Sequence, residues 1–325
     1  MMSIRRNAVR TATAVMLGTL FLGACGEGGG AGARRFLSIG TGGTGGLYYP
    51  IGGALASRLS IRDSTRTYTA EVTGGSVENI QRVANGEMDL AFAIGTTVYE
   101  AYNGGQDFAS PVTRLRVIAP LYPNVTHVLV REGAGITSIA EFGGKRVSVG
   151  AAGSGTEQVA RQILEAAGLS YDDVDPQYLS FTESAAALAD GALDAAILSV
   201  GFPASAVLEA TTTGRVRLLP IGPELTAEVS RRYPYYVAGT IPAGAYPRHD
   251  EALPTVAVMN WMVGRDDLDA GVVRSLLDIL NEEMATLRQS VEIAGQIDLS
   301  NLATAPIPLH DAAQSWRDEQ SGNDQ

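Results

Sequence analysis

Two heptapeptides far apart in this chain share one spelling. Asn85-Gly86-Glu87-Met88-Asp89-Leu90-Ala91 and Asp190-Gly191-Ala192-Leu193-Asp194-Ala195-Ala196 both read (N/D)-G-x-h-D-h-A, where h is apolar. Asparagine or aspartate followed by glycine commonly ends a helix, and a short apolar run after it reads as a buried strand. Each copy therefore marks the passage from a helix into a strand, and each follows its own small-residue loop and helix by a similar interval. A duplicated unit of this kind predicts an α/β protein made of two matched lobes.

The first small-residue loop is the stretch around which the chain is organised. Phe36 to Ile39 reads as a strand, and five glycines follow among the seven residues from Gly40 to Gly46. Leu47, Ile51, Leu55 and Leu59 then recur every four positions, with Pro50 early in the pattern, which predicts a helix. A glycine loop at a helix N-terminus leaves N–H groups pointing one way, with the helix dipole adding positive potential, and so offers a place for an anion. Three readings stay open. Gly40, Gly42 and Gly45 match G-x-G-x-x-G, but a dinucleotide site also needs an acid at the tip of the next strand. Asp63 precedes that strand, Thr67 to Val72, and Glu71 lies inside it. The second reading is a site for a small carboxylate with Tyr48 and Tyr49 at its rim. The third is a turn that only lets helix and strand pack closely.

Arg5, Arg6 and Arg10 precede the apolar stretch Thr11 to Ala24, and no acid appears before Glu27, the pattern of an export signal over residues 1–24. It ends in Leu22-Gly23-Ala24-Cys25, which resembles a lipobox, so Cys25 is the expected lipidation site and membrane anchor. Cys25 is also the chain's single cysteine, which excludes an internal disulfide and a thiolate metal cluster. Residues 25–35 read as a flexible tether. The net charge of −11 grows more negative once the leader's arginines are removed, which argues against nucleic acid or anionic membrane surfaces as partners.

Strands and helices alternate onward. Ser76 is placed to cap a helix from Val77 to Ala84, and Leu90 to Ile94 is a strand delivering the loop Gly95-Thr96-Thr97. Tyr122-Pro123-Asn124 then reads as a first crossing between lobes. Lys145 to Val149 leads into a second small-residue loop, Gly150 to Thr156, ahead of a helix. Thr182 caps another helix with Glu183 in its first turn, and Ala195 to Val200 delivers Gly201-Phe202-Pro203. The expected division is lobe 1 over 36–124, lobe 2 over 125–238, a return to lobe 1 over 239–316 and a polar tail over 317–325. Ligands of open parallel sheets lie beyond the carboxyl ends of the strands. Both loops should therefore face one cleft, which gives Thr41, Thr44, Gly45, Gly46, Tyr48, Thr73, Gly75, Ser76, Thr96 and Thr97 from one lobe as candidate ligand contacts. Ser154, Gly155, Thr156 and Phe202 are the candidates from the other.

The segments GTGGTGGLYYPIGGALA, EVTGGSVENI, GGKRVSVGAAGSGT, ALADGALDAAI, YYVAGTIPAGAYP and IPLH are similar to those of TAXI-type solute receptors of tripartite ATP-independent periplasmic (TRAP) transporters. The resemblance implies a two-lobed periplasmic-binding-protein fold of the second class, a TRAP-type integral membrane permease as partner, and a small anionic solute such as glutamate, glutamine or 2-oxoglutarate. Two departures stand out: Gly95-Thr96-Thr97 replaces the Gln-Ser-Asp such receptors often carry, and Asp311 follows His310.

Enzyme signatures are missing. Neither Gly75-Ser76 nor Gly153-Ser154-Gly155 completes G-x-S-x-G. His127, His249 and His310 stand apart without metal-ligand spacing. The expected protein is a solute receptor that needs no cofactor and catalyses nothing, with a sensory binding protein or a dinucleotide-dependent enzyme as alternatives.

Overall fold

The computed structural model describes residues 35–323; the leader, Cys25 and the tether up to residue 34 lie outside the described residues, and Arg35 already belongs to the first strand. β1 (Arg35–Gly40), α1 (Tyr48–Arg62), β2 (Arg66–Glu71), α2 (Ser76–Ala84), β3 (Leu90–Ile94) and α3 (Gly95–Asn103) lead into a long strand, β4 (Leu115–Arg131). The order then recurs as β5 (Arg146–Ser148), α4 (Gly155–Ala166), β6 (Asp175–Gln177), α5 (Phe181–Ala189) and β7 (Ala195–Val200). After α6 (Ser205–Thr212), β8 (Val216–Leu219), α7 (Pro223–Arg232) and β9 (Val237–Ile241) comes a second long strand, β10 (Leu253–Arg265). Helices α8 (Ala270–Glu282), α9 (Met284–Ser290) and α10 (Asp311–Asn323) close the chain. Among the described residues no helix is long and apolar enough to cross a membrane.

The strands form one sheet in the order β2-β1-β3-β10-β4-β7-β5-β6, with β8 beside β4 and β9 beside β10. The order is nearly palindromic. Each flank is a parallel triple, β2-β1-β3 or β6-β5-β7, and the two antiparallel strands β10 and β4 join them. β3 is apolar throughout and β7 is apolar apart from Ser199, and both are buried at every position, as strands covered on both faces must be.

The repeated heptapeptide has one job in both copies. Asp89 Oδ2 accepts the N–H of Ser38 on β1 at 3.0 Å, and Asp194 Oδ2 accepts the N–H of Arg146 on β5 at 3.1 Å. Each carboxylate thus ties the turn entering one strand to the neighbouring parallel strand. Gly86 and Gly191 both have φ of +76°, a left-handed conformation in which a Cβ is strained.

β4 is continuous where the sequence suggests two strands separated by Tyr122-Pro123-Asn124. It pairs with β10 from Leu115 to Val125 and with β7 from Val125, opposite Val200, to Val130, opposite Ala195. β10 likewise pairs with β9 over its first residues and with β3 from Asn260 to Gly264. Both long strands therefore change neighbours at the same level. Register shifts there accompany Pro120 and Pro123, which have no N–H to give a ladder.

Two expected boundaries move. The return to the first lobe does not begin at 239: β9 and the start of β10 form a hairpin whose Ile241 and Ala257 pack with Val125 and Val200 in the second half. The aromatic, proline-rich segment is fixed to that half by the Tyr246 hydroxyl, 2.8 Å from His127 Nε2, and the crossing lies near Asn260. Residues 317–323 are not a loose tail either. They continue α10, which is seated by buried Ala313 and by the Trp316 indole N–H donating to Asp278 Oδ1 at 2.9 Å.

Asp194 also accepts two bonds from the Arg146 guanidinium, at 2.9 and 3.0 Å, and one from Arg131 at 2.8 Å. The Arg146 guanidinium, with Arg131 adding to it, holds the Asp194 carboxyl well below the usual carboxylate range. A depressed carboxyl stabilises the fold above its unfolded pKa, near 4, and the benefit is lost as pH falls toward the folded value. Asp194→Asn should therefore lower the unfolding free energy by about 2 kcal/mol at neutral pH. Urea denaturation should show the difference from wild type narrowing below about pH 4; equal stability of the two proteins at pH 7 would refute this role.

Candidate ligand-binding site

A cavity of about 300 Å³ lies where the two halves face one another. The first half gives it Thr44, Gly45 and Gly46 from the loop after β1, Tyr48 from α1, and Thr73, Gly75 and Ser76 from the approach to α2. The second half gives Ser154, Gly155 and Thr156 from the start of α4. The duplicated loops thus open onto one hollow.

Four expected contacts do not line it. Thr41 is fully buried behind the loop, where its N–H and its hydroxyl both donate to the Glu71 carbonyl, at 3.0 and 2.6 Å, and prolong the β1–β2 pairing. Thr96 and Thr97 belong to the first turn of α3, because the helix starts at Gly95 without a preceding loop. That turn aims both hydroxyls at Gln158 Oε1 of α4, at 2.9 and 2.8 Å, so they join the halves beside the cavity. Phe202 packs on the cluster of Val125, Val200 and Ala204.

Other lining residues are not among the contacts expected from sequence. Ser180, Phe181 and Thr182 come from the start of α5, and Tyr122, Asn124 and Ser199 come from the ends of β4 and β7. The repeat could have found the first three, since α5 is the counterpart of α2. Ser180, not Thr182, caps the helix: its hydroxyl accepts the Glu183 N–H at 3.3 Å while the Glu183 carboxylate accepts the Ser180 N–H at 2.8 Å. Nothing in the sequence marks Tyr122 or Ser199, which become neighbours of the loops only through the sheet order.

Four helices, α1, α2, α4 and α5, present their first residues to the cavity, and no lining residue is charged. The potential there is set by helix dipoles and N–H groups. They are not equally available. At α2 the N–H groups of Val77 and Glu78 both donate to the Gly153 carbonyl across the cleft at 3.1 Å, and Gly74 N–H donates to Glu78 Oε2 at 2.7 Å. At α4 the Glu157 N–H is taken by the Ser154 hydroxyl at 3.1 Å, so that hydroxyl is a cap as well as part of the wall. The N–H groups of Gly155, Thr156, Phe181 and Thr182 have no acceptor among the described residues.

The floor is polar and almost fully bonded. The Tyr48 phenol donates to Asn260 Oδ1; Asn260 Nδ2 donates to the Tyr122 carbonyl at 2.8 Å and to Asn124 Oδ1 at 2.7 Å; Asn124 Nδ2 donates to the Ser199 carbonyl at 3.0 Å. The side-chain hydroxyls of Tyr122 and Ser199 have no partner. Burial pushes the phenols of Tyr48 and Tyr122 up, so both stay neutral donors.

The histidines stand away from the lining. Burial pulls His127 down to about 4, leaving a neutral ring against Tyr246, and His310 accepts the Ala312 N–H at the start of α10. No group of three His, Cys, Asp or Glu able to hold a metal occurs among the described residues. The dinucleotide reading of the loop fares poorly: the Glu71 carboxylate accepts from Arg82 at 2.7 Å, and the cavity lies at the small end of ligand sites.

A palindromic sheet crossed by two long strands, with helix N-termini around a cavity between its halves, is the architecture of periplasmic binding proteins. The chain belongs to the NMT1-like family, whose sequence profile matches residues 39–320. Its fold is similar to that of a structure described as a periplasmic transporter (TM-score 0.54, 13% identity, 89% of this chain and 93% of that one covered). It is similar also to PhnD1 from Prochlorococcus marinus, solved with methylphosphonate (0.53, 14%, 80% and 90%). A third likeness is to the ligand-binding component of an ABC-type import system from Staphylococcus aureus (0.50, 12%, 84% and 84%).

The glycines of the facing loops permit a close approach. A Cβ on Gly155 would stand 2.8 Å from Ser76 Oγ and 3.0 Å from Ile94 Cδ1, whereas one on Gly43 would meet nothing within 4 Å. Gly155→Ala should therefore lower stability by about 1–3 kcal/mol, the usual cost of overpacking, while Gly43→Ala should stay within about 0.5 kcal/mol of wild type. Chemical denaturation of the pair checks this, and equal losses in both variants would show that the loops do not meet this closely.

Proposed function

We propose that this protein is an exported solute receptor that captures a small carboxylate between its two halves and delivers it to a TRAP-type membrane permease. The observation that carries the reading is the set of unpaired N–H groups at the starts of α4 and α5, on a cavity without a charged side chain. Such a site attracts an anion and has no acidic side chain to repel it. The anion-binding candidates are then Gly155, Thr156, Phe181 and Thr182, with Thr44, Gly45, Gly46, Tyr48, Thr73, Gly75, Ser76 and Ser154 as the surrounding walls. The likeness of the loop segments to TAXI-type receptors supports the TRAP partner, and the fold shared with a protein solved with methylphosphonate suits an anionic guest.

In this reading the halves act as lobes that hinge where β4 and β10 change neighbours, and the bonds from Val77 and Glu78 to Gly153 belong to the closed arrangement. Cys25 carries a lipid that holds the receptor at the membrane. Replacement of Cys25 by serine should release the protein into the soluble fraction of the cell envelope and abolish incorporation of labelled fatty acid; retention in the membrane fraction would refute the anchor.

A thermal-shift screen of C4–C6 carboxylic acids tests the binding itself. A true ligand at a hundred times its dissociation constant adds about 2.7 kcal/mol to stability. Thr156→Pro removes one unpaired N–H in the first turn of α4, where no intrahelical bond is lost, and should weaken that ligand about tenfold or more, the loss of a charge-assisted bond. A panel in which no carboxylate shifts the transition would overturn the reading.

A further inference from the structure

Two buried hydroxyls on the cavity wall are unused by the protein. Tyr122 is wholly buried and Ser199 is 3% exposed, both line the cavity, and neither side-chain oxygen has a hydrogen-bond partner. Their surroundings are otherwise saturated. The Asn260 and Asn124 amides and the Tyr48 phenol bond to one another and to the carbonyls of Tyr122 and Ser199. A buried hydroxyl is seldom left unpaired without a reason, and each of these can donate to an acceptor brought into the cavity.

The rest of the wall restricts what that acceptor belongs to. No lining residue is acidic, so an ammonium group would be buried without a counter-charge. No lining residue is basic, so a second carboxylate would depend on N–H groups beyond those left free at α4 and α5. Leu47, Val72, Ile94, Phe181 and Val200 supply apolar wall for a hydrocarbon body. We infer that the solute is a compact monocarboxylate with an apolar body and one uncharged oxygen, an oxo or hydroxy group, which accepts from Tyr122 and Ser199. Its carboxylate lies on the N–H groups of α4 and α5. This rests on the reading of the cavity as an anion site and narrows it: amino-acid zwitterions and dicarboxylates are excluded.

The decisive experiment is calorimetric titration of the wild type, Tyr122→Phe and Ser199→Ala with four probes on related skeletons. They are 4-methyl-2-oxopentanoate, its deoxy parent 4-methylpentanoate, leucine and 2-oxoglutarate. For the wild type the oxo monocarboxylate should bind at least tenfold more tightly than each of the other three. Tyr122→Phe should weaken the oxo acid about tenfold and leave the deoxy parent unchanged, with Ser199→Ala acting in the same direction. Since each substitution removes an unpaired buried group, the thermal midpoint of the ligand-free variants should stay level or rise, which a structural role for these hydroxyls would not allow. Leucine or 2-oxoglutarate binding as tightly as the oxo acid would overturn the inference while leaving the anion site intact. Equal loss for the oxo acid and its deoxy parent in Tyr122→Phe would overturn it as well. Binding of none of the four, together with no response to other carboxylates, would remove the anion site and this inference with it.

Discussion

The pairing of β4 with β10 is the constraint on which the remaining geometry depends. These are the strands that run through both halves of the sheet, and at their crossing Asn260 sits wholly buried with its amide spanning the Tyr122 carbonyl and Asn124 Oδ1. The crossing is also where prolines interrupt the ladder. Asn260 therefore supplies, from a side chain, bonds that the backbone does not make there. Tyr48 reaches the same amide from α1, and Asn124 passes the connection to β7. One buried polar chain thus links the first half, both crossing strands and the second half directly beneath the cavity. A partly satisfied network in that position would be costly, and this one is closed except at the two buried hydroxyls of the cavity-lining residues Tyr122 and Ser199.

The duplication explains why the cavity exists at that level. Each half sets its inner strand, β3 or β7, against one of the crossing strands, and each starts its helices from the carboxyl edge of its parallel triple. Because the sheet order is mirrored about β10 and β4, the two sets of helix starts are forced toward each other. Glycine is then required by the approach. A Cβ on Gly45 would lie 2.6 Å from Thr182 Oγ1 and 3.2 Å from the Thr182 backbone nitrogen, while Gly75 is favoured by its φ of +121°. The small residues first legible as an anion-binding loop are in large part the contact surface between halves.

Fold class, element order and the facing of the loops were legible because local signals agreed with one another. The (N/D)-G turns, the apolar strands and the helix caps each repeat, and a repeat carries its own confirmation. Thr96 and Thr97 misled because a strand that runs into a helix at Gly95 looks, in sequence, the same as one that delivers a loop. Thr41 misled because a hydroxyl beside a glycine loop gives no sign of whether it faces the ligand or the next strand. Tyr122 and Ser199 were out of reach for a different reason: Tyr122 reads as part of a crossing and Ser199 as part of a buried strand, and only the long-range pairing of β4 with β7 brings them to the same wall. The position of the return crossing depended on Tyr246 finding His127, a contact between segments with no local signature.

The unequal use of the four helix starts bears on how a strongly acidic protein can hold an anion. Distant surface carboxylates are screened within about 8–10 Å at physiological ionic strength, whereas N–H groups on a desolvated wall act at contact distance. At α2 those groups are already neutralised by the Gly153 carbonyl and the Glu78 side chain, so that helix start joins the halves and has little left for a guest. At α4 and α5 the innermost N–H groups are left over, as are the hydroxyls of Tyr122 and Ser199. Each unpaired buried group costs about 1–3 kcal/mol relative to a solvated one. Closing the halves around nothing therefore carries a penalty of several such terms, set against the few bonds the halves make with each other. In the proposed receptor a solute that satisfies those groups would remove the penalty, and closure would follow occupancy by differential binding, with no separate trigger needed.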